Sequence, residues 1–265
     1  MKIISWNINS VRLRAPLLKQ LILEQQPDII CLQETKVQDS EFPLEELKSF
    51  GLENIYFSGQ KSYNGVAILS KQPLENIKIY KILDSEDKRH ISAVTKSGIK
   101  IHNFYVPAGG DEPDVNINPK FDFKLKFLDY MAEYFAKSYS KNDKLIMVGD
   151  MNVAPLEMDV WSHKQLLKVV SHTAIEVEKM NNLQKTLNWV DSHRYKIGAE
   201  ERLYSWWSYR AKDPMKSNRG RRLDHIWVTP NLRDNITDAK FLVDFRVKER
   251  PSDHIPIILE MAVEN

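Results

Sequence analysis

The stretch Lys144-Leu145-Ile146-Met147-Val148 runs straight into Gly149-Asp150-Met151-Asn152. An apolar run this short, closed by a glycine, reads as a buried strand rather than a helix. A carboxylate at its mouth has to be paired, hydrogen-bonded or bound to a metal, because burying it alone costs several kcal/mol. The same arrangement recurs along the chain. Lys2-Ile3-Ile4-Ser5-Trp6 leads into Asn7-Ile8-Asn9, and Asp28 to Leu32 leads into Gln33-Glu34-Thr35-Lys36. A strand over His225 to Thr229 is preceded by Arg222-Leu223-Asp224. In layered α/β folds, residues at strand ends are fixed by the sheet and exposed by the loop. Several such clusters converging on one sheet edge predict a single site.

Between these strands the periodicity changes. Leu17, Leu18, Leu21 and Ile22 form a helical stripe that ends before Pro27. Phe121, Leu125, Leu128, Ala132 and Phe135 predict a long helix over residues 120 to 139. Further strands are expected at Gly65 to Leu69, Ile99 to Tyr105, Lys240 to Val243 and Pro256 to Met261. Residues 156–200 have helical texture and no assignable motif. No Gly/Ser linker, short repeat or low-complexity stretch divides the chain, so one α/β domain spanning 1–265 is expected.

Composition bounds the function. With 42% hydrophobic and 28% charged side chains, disorder is excluded as the main theme. Lys and Arg number 38 against 36 Asp and Glu, a formal charge of +2, so any nucleic-acid surface has to be local. Cys31 is the single cysteine, which excludes an internal disulfide and a Cys-based zinc site. Its apolar neighbours Ile29, Ile30 and Leu32 favour a buried thiol over a nucleophile. The N-terminal residues offer no small-residue cleavage site, and no run approaches the ~18 apolar residues of a membrane span. A soluble, cytoplasmic, monomeric protein with no membrane partner is the expectation.

The candidate chemistry is carried by acids and amides. Any one of Asn7, Glu34, Asp150, Asn152 and Asp253, taken alone, is equally a cap or a strand-end turn. Together they form an oxygen-rich donor set without Cys, which suits a hard ion such as Mg²⁺ or Mn²⁺ rather than zinc. Ser252-Asp253-His254-Ile255-Pro256 has two open readings. It places a carboxylate beside an imidazole that titrates near neutrality, or it is a capped turn before the last strand. The other histidines, His90, His102, His163, His172, His193 and His225, follow no metal-ligand spacing and read as structural or surface groups. Arg210 to Arg222 holds Arg210, Lys212, Lys216, Arg219, Arg221 and Arg222 against one acid, Asp213, directly after Trp206-Trp207. Basic charge beside exposed aromatics is how proteins meet a phosphate backbone and stack on a base or sugar. A solvated loop beside two core tryptophans is the alternative.

The ordered set Trp6-Asn7-x-Asn9, Leu32-Gln33-Glu34-Thr35-Lys36, Tyr105-x-Pro107-x-Gly109, Gly149-Asp150-x-Asn152, Ser205-Trp206-Trp207-x-Tyr209-Arg210, Arg222-Leu223-Asp224 and Ser252-Asp253-His254-x-Pro256 resembles the exodeoxyribonuclease III family of apurinic/apyrimidinic endonucleases. The resemblance covers essentially the whole chain and implies a four-layer α/β sandwich of the DNase I-like kind, two mixed sheets face to face with helices outside. It implies that Glu34 holds the metal with Asn7 and Asp253 close by, in a cluster that also includes Asp150, Asn152 and His254. Asp150 would be the general base or would orient the attacking water, and Asn152 would fix that geometry. Tyr105 would contact the phosphate, and His254, held by Asp224, would bond a non-bridging oxygen. Trp206 would wall the pocket for a flipped baseless sugar. Arg12, Lys36, Tyr63 and Asn218 would lie near the DNA backbone, with the basic run Arg219, Arg221 and Arg222.

The implied function is metal-dependent cleavage of double-stranded DNA 5′ to abasic sites, with 3′-to-5′ exonuclease activity and removal of blocked 3′ ends. Two departures are visible. Ser10 stands where a glycine is usual, and Ala108-Gly109-Gly110-Asp111 lacks the duplex-inserting arginine of some eukaryotic relatives, which favours exonuclease activity. Rival readings are a phosphodiesterase acting on lipid or inositol phosphate, and a catalytically silent nucleic-acid-binding regulator. The first is disfavoured by the basic-aromatic segment. The second is disfavoured because Glu34, Asp150, Asn152 and His254 are all present.

Overall fold

In the computed structural model, which describes residues 1–211 and 213–263, the apolar runs pair into two six-stranded sheets. The first contains β1 (Lys2–Asn7), β2 (Ile29–Gln33), β3 (Asn54–Ser58), β4 (Val66–Ser70), β11 (Ile236–Phe241) and β12 (Ile257–Met261), in the order β11-β12-β1-β2-β4-β3. The second contains β5 (Glu75–Lys78), β6 (His90–Val94), β7 (Lys100–Tyr105), β8 (Leu145–Asp150), β9 (Val190–Asp191) and β10 (Asp224–Val228), in the order β5-β6-β7-β8-β10-β9. The helices are α1 (Val11–Gln25), α2 (Leu44–Lys48), α3 (Pro119–Ser138), α4 (His163–Leu166), α5 (Ala174–Thr186), α6 (Ser192–Ile197) and α7 (Pro214–Ser217).

Each sheet has one parallel pair, β1–β2 and β7–β8, and is otherwise antiparallel. A parallel pair needs a crossover, and α1 and α3 supply the two. Alternation along the strands separates the layers. Ile3, Ile29, Cys31, Ile146 and Val148 point into the space between the sheets. Their neighbours Ile4, Ile30 and Leu32 pack with Leu18 and Leu21 of α1. On the other side, Phe104 and Met147 pack with Phe127, Leu128 and Phe135 of α3 and Met180 and Leu183 of α5. Helix, sheet, sheet and helix therefore stack as four layers, and strands covered on both faces read as unbroken apolar runs. Gly149 is required by the β7–β8 approach: its φ is 141°, and a Cβ there would lie 1.9 Å from the Phe104 carbonyl oxygen.

One expectation about an element changes. The strand placed at Lys240 to Val243 is β11, Ile236–Phe241, which pairs with β12 across a register shift between Ile236 and Asp238. Polar residues on this edge strand interrupt the apolar pattern and hide its start. Residues 156–200 contribute α4, α5, α6 and β9. Cys31 is buried, and burial pushes its thiol up. His90, His102, His172, His193 and His225 are buried in packed interiors, and His163 is half-buried. No helix among the described residues is long and apolar enough to cross a membrane.

Candidate active site

The two parallel pairs end at one edge, and their antiparallel neighbours β12 and β10 begin there. That edge collects Asn7 from the end of β1, Glu34 from just after β2 and Tyr105 from the end of β7. It also collects Asp150 and Asn152 from the end of β8, Asp224 from the start of β10, and Asp253 and His254 ahead of β12. Asn7 is the hub. Its Nδ2 donates to Glu34 Oε1 at 2.8 Å and to Asp150 Oδ2 at 2.9 Å, and lies 3.4 Å from His254 Nε2. Asp224 stands opposite Asp150 in the β8–β10 ladder, and its Oδ2 is 2.8 Å from His254 Nδ1. His254 Nε2 sits 3.6 Å from Asp150 Oδ2.

Backbone placement is equally specific. Glu34 and Asn152 have φ of 51° and 52°, left-handed values that persist only where neighbours hold them. Asn152 donates from its backbone N–H to Asp150 Oδ1 at 2.9 Å. Its Nδ2 donates to Asp150 Oδ2 at 3.0 Å and to the Val106 carbonyl at 2.9 Å. Ser10 adopts φ 88°, doing in this chain what a glycine does more freely, and its N–H is tied to the Glu34 carbonyl at 2.8 Å. Ser205 Oγ accepts from the N–H groups of Leu223 and Asp224 at 2.9 and 3.0 Å. Ser252 Oγ donates to the Asn7 carbonyl at 2.8 Å and accepts from the His254 N–H at 3.2 Å.

The charges are unevenly matched. Burial, reinforced by Asp224 and Glu34, pushes the Asp150 carboxyl up to about 7 despite His254. Burial opposes the His254 imidazolium, but Asp224 and Asp150 outweigh it and raise that group to about 10. Burial likewise opposes Glu34, yet Lys36 and the Asn7 hydrogen bond hold its carboxyl below the ordinary range. Burial, with the charges of Glu34 and Asp150, keeps the Tyr105 phenol well above its usual value and therefore neutral. The Arg89 guanidinium covers the Tyr105 ring at 4.8 Å.

The remaining expected residues divide. Trp206 is half-buried and lines a cleft of about 550 Å³ that opens on the cluster. Trp207 is core, edge-on to Tyr204, and its Nε1 donates to Asn218 Oδ1 at 3.2 Å. Arg219 is exposed and lies over Trp161, whereas Arg221 is half-buried over Trp206. Arg12 and Tyr63 are exposed. Lys36 is engaged, with Nζ 2.7 Å from Glu34 Oε2 and 2.6 Å from Asn9 Oδ1. Lys212 lies outside the described residues.

One expectation is corrected. Arg222 does not face DNA: it is fully buried, bound to Asp159 and Asp191, because it lies where the chain enters β10 behind the cleft. Asp253 lines the same cleft as Glu34, Asp150 and His254, and its oxygens accept from Asn9 Nδ2 at 2.9 Å and Trp206 Nε1 at 3.0 Å. The sequence reading also missed Trp161, Val170 and Leu223, which line the same cleft. Trp161 and Val170 show only apolar character between motifs, and Leu223 sits inside the Arg222-Leu223-Asp224 motif without a role read for it.

The donor set fits a hard cation. Carboxylate oxygens of Asp150 and Asp224 lie within 4.8 Å of one another beside His254, and Asp224 Oδ1 is buried with no hydrogen-bond partner. Oxygen donors dominate, and a divalent ion would offset both the burial and the neighbouring Asp224 and Glu34 charges that raise the Asp150 carboxyl.

Two mixed sheets with outer helices and this cluster at their shared edge define a phosphodiester-hydrolysing enzyme on a DNase I-like sandwich. The sequence pattern of the endonuclease/exonuclease/phosphatase family, a divalent-metal-dependent group, matches residues 4–254. The chain is 34% identical to exodeoxyribonuclease III of Haemophilus influenzae, with 98% of this chain and 99% of that one covered. An AP endonuclease from Archaeoglobus fulgidus superposes with a TM-score of 0.91 at 33% identity, covering 99% and 100% of the two chains. A 3′ phosphatase from Neisseria, bound to a product DNA hairpin, superposes at 0.90 with 29% identity over 99% and 100%. The chain belongs to the endonuclease/exonuclease/phosphatase family, in its exodeoxyribonuclease III branch, and is a DNA-repair nuclease.

Proposed function

We propose that this nuclease hydrolyses the phosphodiester 5′ to abasic sites in double-stranded DNA, leaving a 3′-hydroxyl, and also removes blocked 3′ ends, with Mg²⁺ as its metal and Mn²⁺ as a substitute. The observation that carries this reading is a single junction: the Asn7–Glu34–Asp150–Asp224–His254 cluster opens into a cleft walled by Trp206. Asp150, poised near neutrality, takes the proton of the attacking water or orients it, and Asn152 fixes its two oxygens. His254, held as imidazolium by Asp224, donates from Nε2 to a non-bridging phosphate oxygen. Tyr105, a neutral phenol lining the same cleft, donates to the phosphate. Glu34 and Asp150, bridged by Asn7, would hold the divalent ion, which when bound shields phosphoryl charge. An abasic sugar has lost stacking and pairing, so extruding it toward Trp206 costs little.

A duplex with one internal abasic analogue tests the reading. It should be nicked with Mg²⁺ and left intact in EDTA; undiminished turnover in EDTA would overturn the assignment. Trp206→Ala should reduce the preference for abasic over intact duplex. Lys216→Glu with Arg219→Glu should instead weaken binding to both duplexes alike and flatten the salt dependence, each lost phosphate contact removing roughly 0.9 from the log–log slope.

A further inference from the structure

Helix α3 places one lysine, Lys124, in the interior, and Glu176 in the first turn of α5 meets it there; both side chains are fully buried. The ammonium has three hydrogens and three acceptors: the Asn152 carbonyl at 2.8 Å, the Ala108 carbonyl at 3.3 Å and Glu176 Oε1. Glu176 also accepts from the Ser171 N–H at 2.9 and 2.8 Å, and from the N–H and hydroxyl of Thr173 at 3.1 and 2.7 Å. Arg221 Nη1 then donates to the Val170 carbonyl at 2.9 Å and to Ser171 Oγ at 2.8 Å, while its guanidinium covers Trp206 at 5.3 Å. One ammonium thus ties together the loop after Tyr105, Asn152 after Asp150, and the 170–173 turn behind the cleft wall. The loop is packed on the lysine stem, since a Cβ at Gly109 would lie 2.8 Å from Lys124 Cδ.

A buried ion pair is not a cheap way to stabilise a fold, because well-packed apolar residues of the same volume do as well or better. Asn152 supplies a reason for it. Its backbone is left-handed at φ 52°, its side chain is spent on Asp150 and Val106, and its carbonyl is held by Lys124. We infer that Lys124 and Glu176 are positioning residues for the hydrolysis, fixing Asn152, and through it Asp150, relative to the Trp206 wall, so that the pair acts on turnover and not on DNA affinity. The inference rests on the nuclease reading above.

The test replaces the pair by apolar residues. Lys124→Met with Glu176→Leu should melt within a few degrees of wild type and bind an abasic duplex in EDTA within about threefold, yet turn over at least about tenfold more slowly at saturating DNA with Mg²⁺. A folded double variant with kcat within about threefold of wild type would overturn the inference and leave the pair a packing element. Should the double variant melt far below wild type, Glu176→Gln decides, since it keeps the shape while removing the charge and one of the two acceptor oxygens. A kcat reduction of at least about threefold with unchanged affinity supports positioning, and an unchanged kcat overturns it. Wild type and Asp150→Asn run alongside: an inactive wild type sinks the nuclease reading, whereas an active wild type beside a fully active double variant sinks only this inference.

Discussion

Asp150, at the active edge, and Asp159, behind the cleft wall, are both buried aspartates, 1% and 0% exposed, yet their environments drive them in opposite directions. Burial pushes both carboxyls up. Asp159 is gripped at two points by Arg222, Nε to Oδ1 at 2.7 Å and Nη2 to Oδ2 at 3.0 Å, and also by Arg194, so its carboxyl is held below the ordinary range. Asp191 takes the remaining arm of Arg222 at 2.7 Å and is lowered as well. Asp150 has only a share of one imidazolium, which Asp224 also claims, and stays near neutrality. Matched charge makes a buried carboxylate scaffold; unmatched charge leaves it able to take a proton or a cation.

The largest effect should come from breaking the matched network. Arg222→Met leaves Asp159 and Asp191 without their main counter-charge and should cost about 3–5 kcal/mol of stability, read from denaturant midpoints. A loss below about 1 kcal/mol would mean that Arg222 is not what neutralises them. Asp150→Asn should do the reverse. It should lower kcat by at least about 10²-fold, near 2.7 kcal/mol of barrier, while the melting temperature stays level or rises. A large drop in melting temperature would place Asp150 with the scaffold and erase the contrast.

Glu34→Gln should raise the Mg²⁺ concentration needed for half-maximal activity by at least about tenfold, because a neutral amide binds a hard cation weakly. An unchanged metal titration would remove Glu34 from the ion's ligands. Buried imidazoles without a counter-charge give a third case. Burial, with a smaller push from Lys100, lowers His90 to about 3, so the folded state stays unprotonated at pH values where the unfolded state takes up a proton. Stability is therefore lost as pH falls below the unfolded value of about 6.5, and the loss ends near the folded value. His90→Phe should make the stability difference between pH 7.5 and 5.5 smaller by about 1.4 kcal/mol, and an unchanged difference would show that His90 titrates in the fold as it does in the unfolded chain.

Much of this was legible in the residues. The apolar runs ending in Asn7, Glu34 and Asp150 identified both the central strands and the acids at their mouths, because strands covered on both faces leave an uninterrupted apolar signature. The edge strands β3 and β5 left no comparable trace, having half-buried or exposed residues along most of their length. The basic run misled at Arg222, since a buried guanidinium and one facing DNA look alike in a string of residues. Nothing in the residue string sets Lys124 and Glu176 apart from ordinary charges on helical faces.

What the sequence determined by itself was the set of strand-end motifs and, through them, the kind of chemistry, since residue type limits which groups can hold a hard ion or move a proton. Only the tertiary structure decided how each charge is used. Asp150 against Asp159, Trp206 against Trp207 and Arg219 against Arg222 differ in what surrounds them and not in what they are. The deciding partners lie far away in the chain: Asp159 is 63 residues from Arg222, and Glu176 is 52 from Lys124. Desolvation and pairing arise only when such segments meet, so a local reading of the residues carries no signal of them.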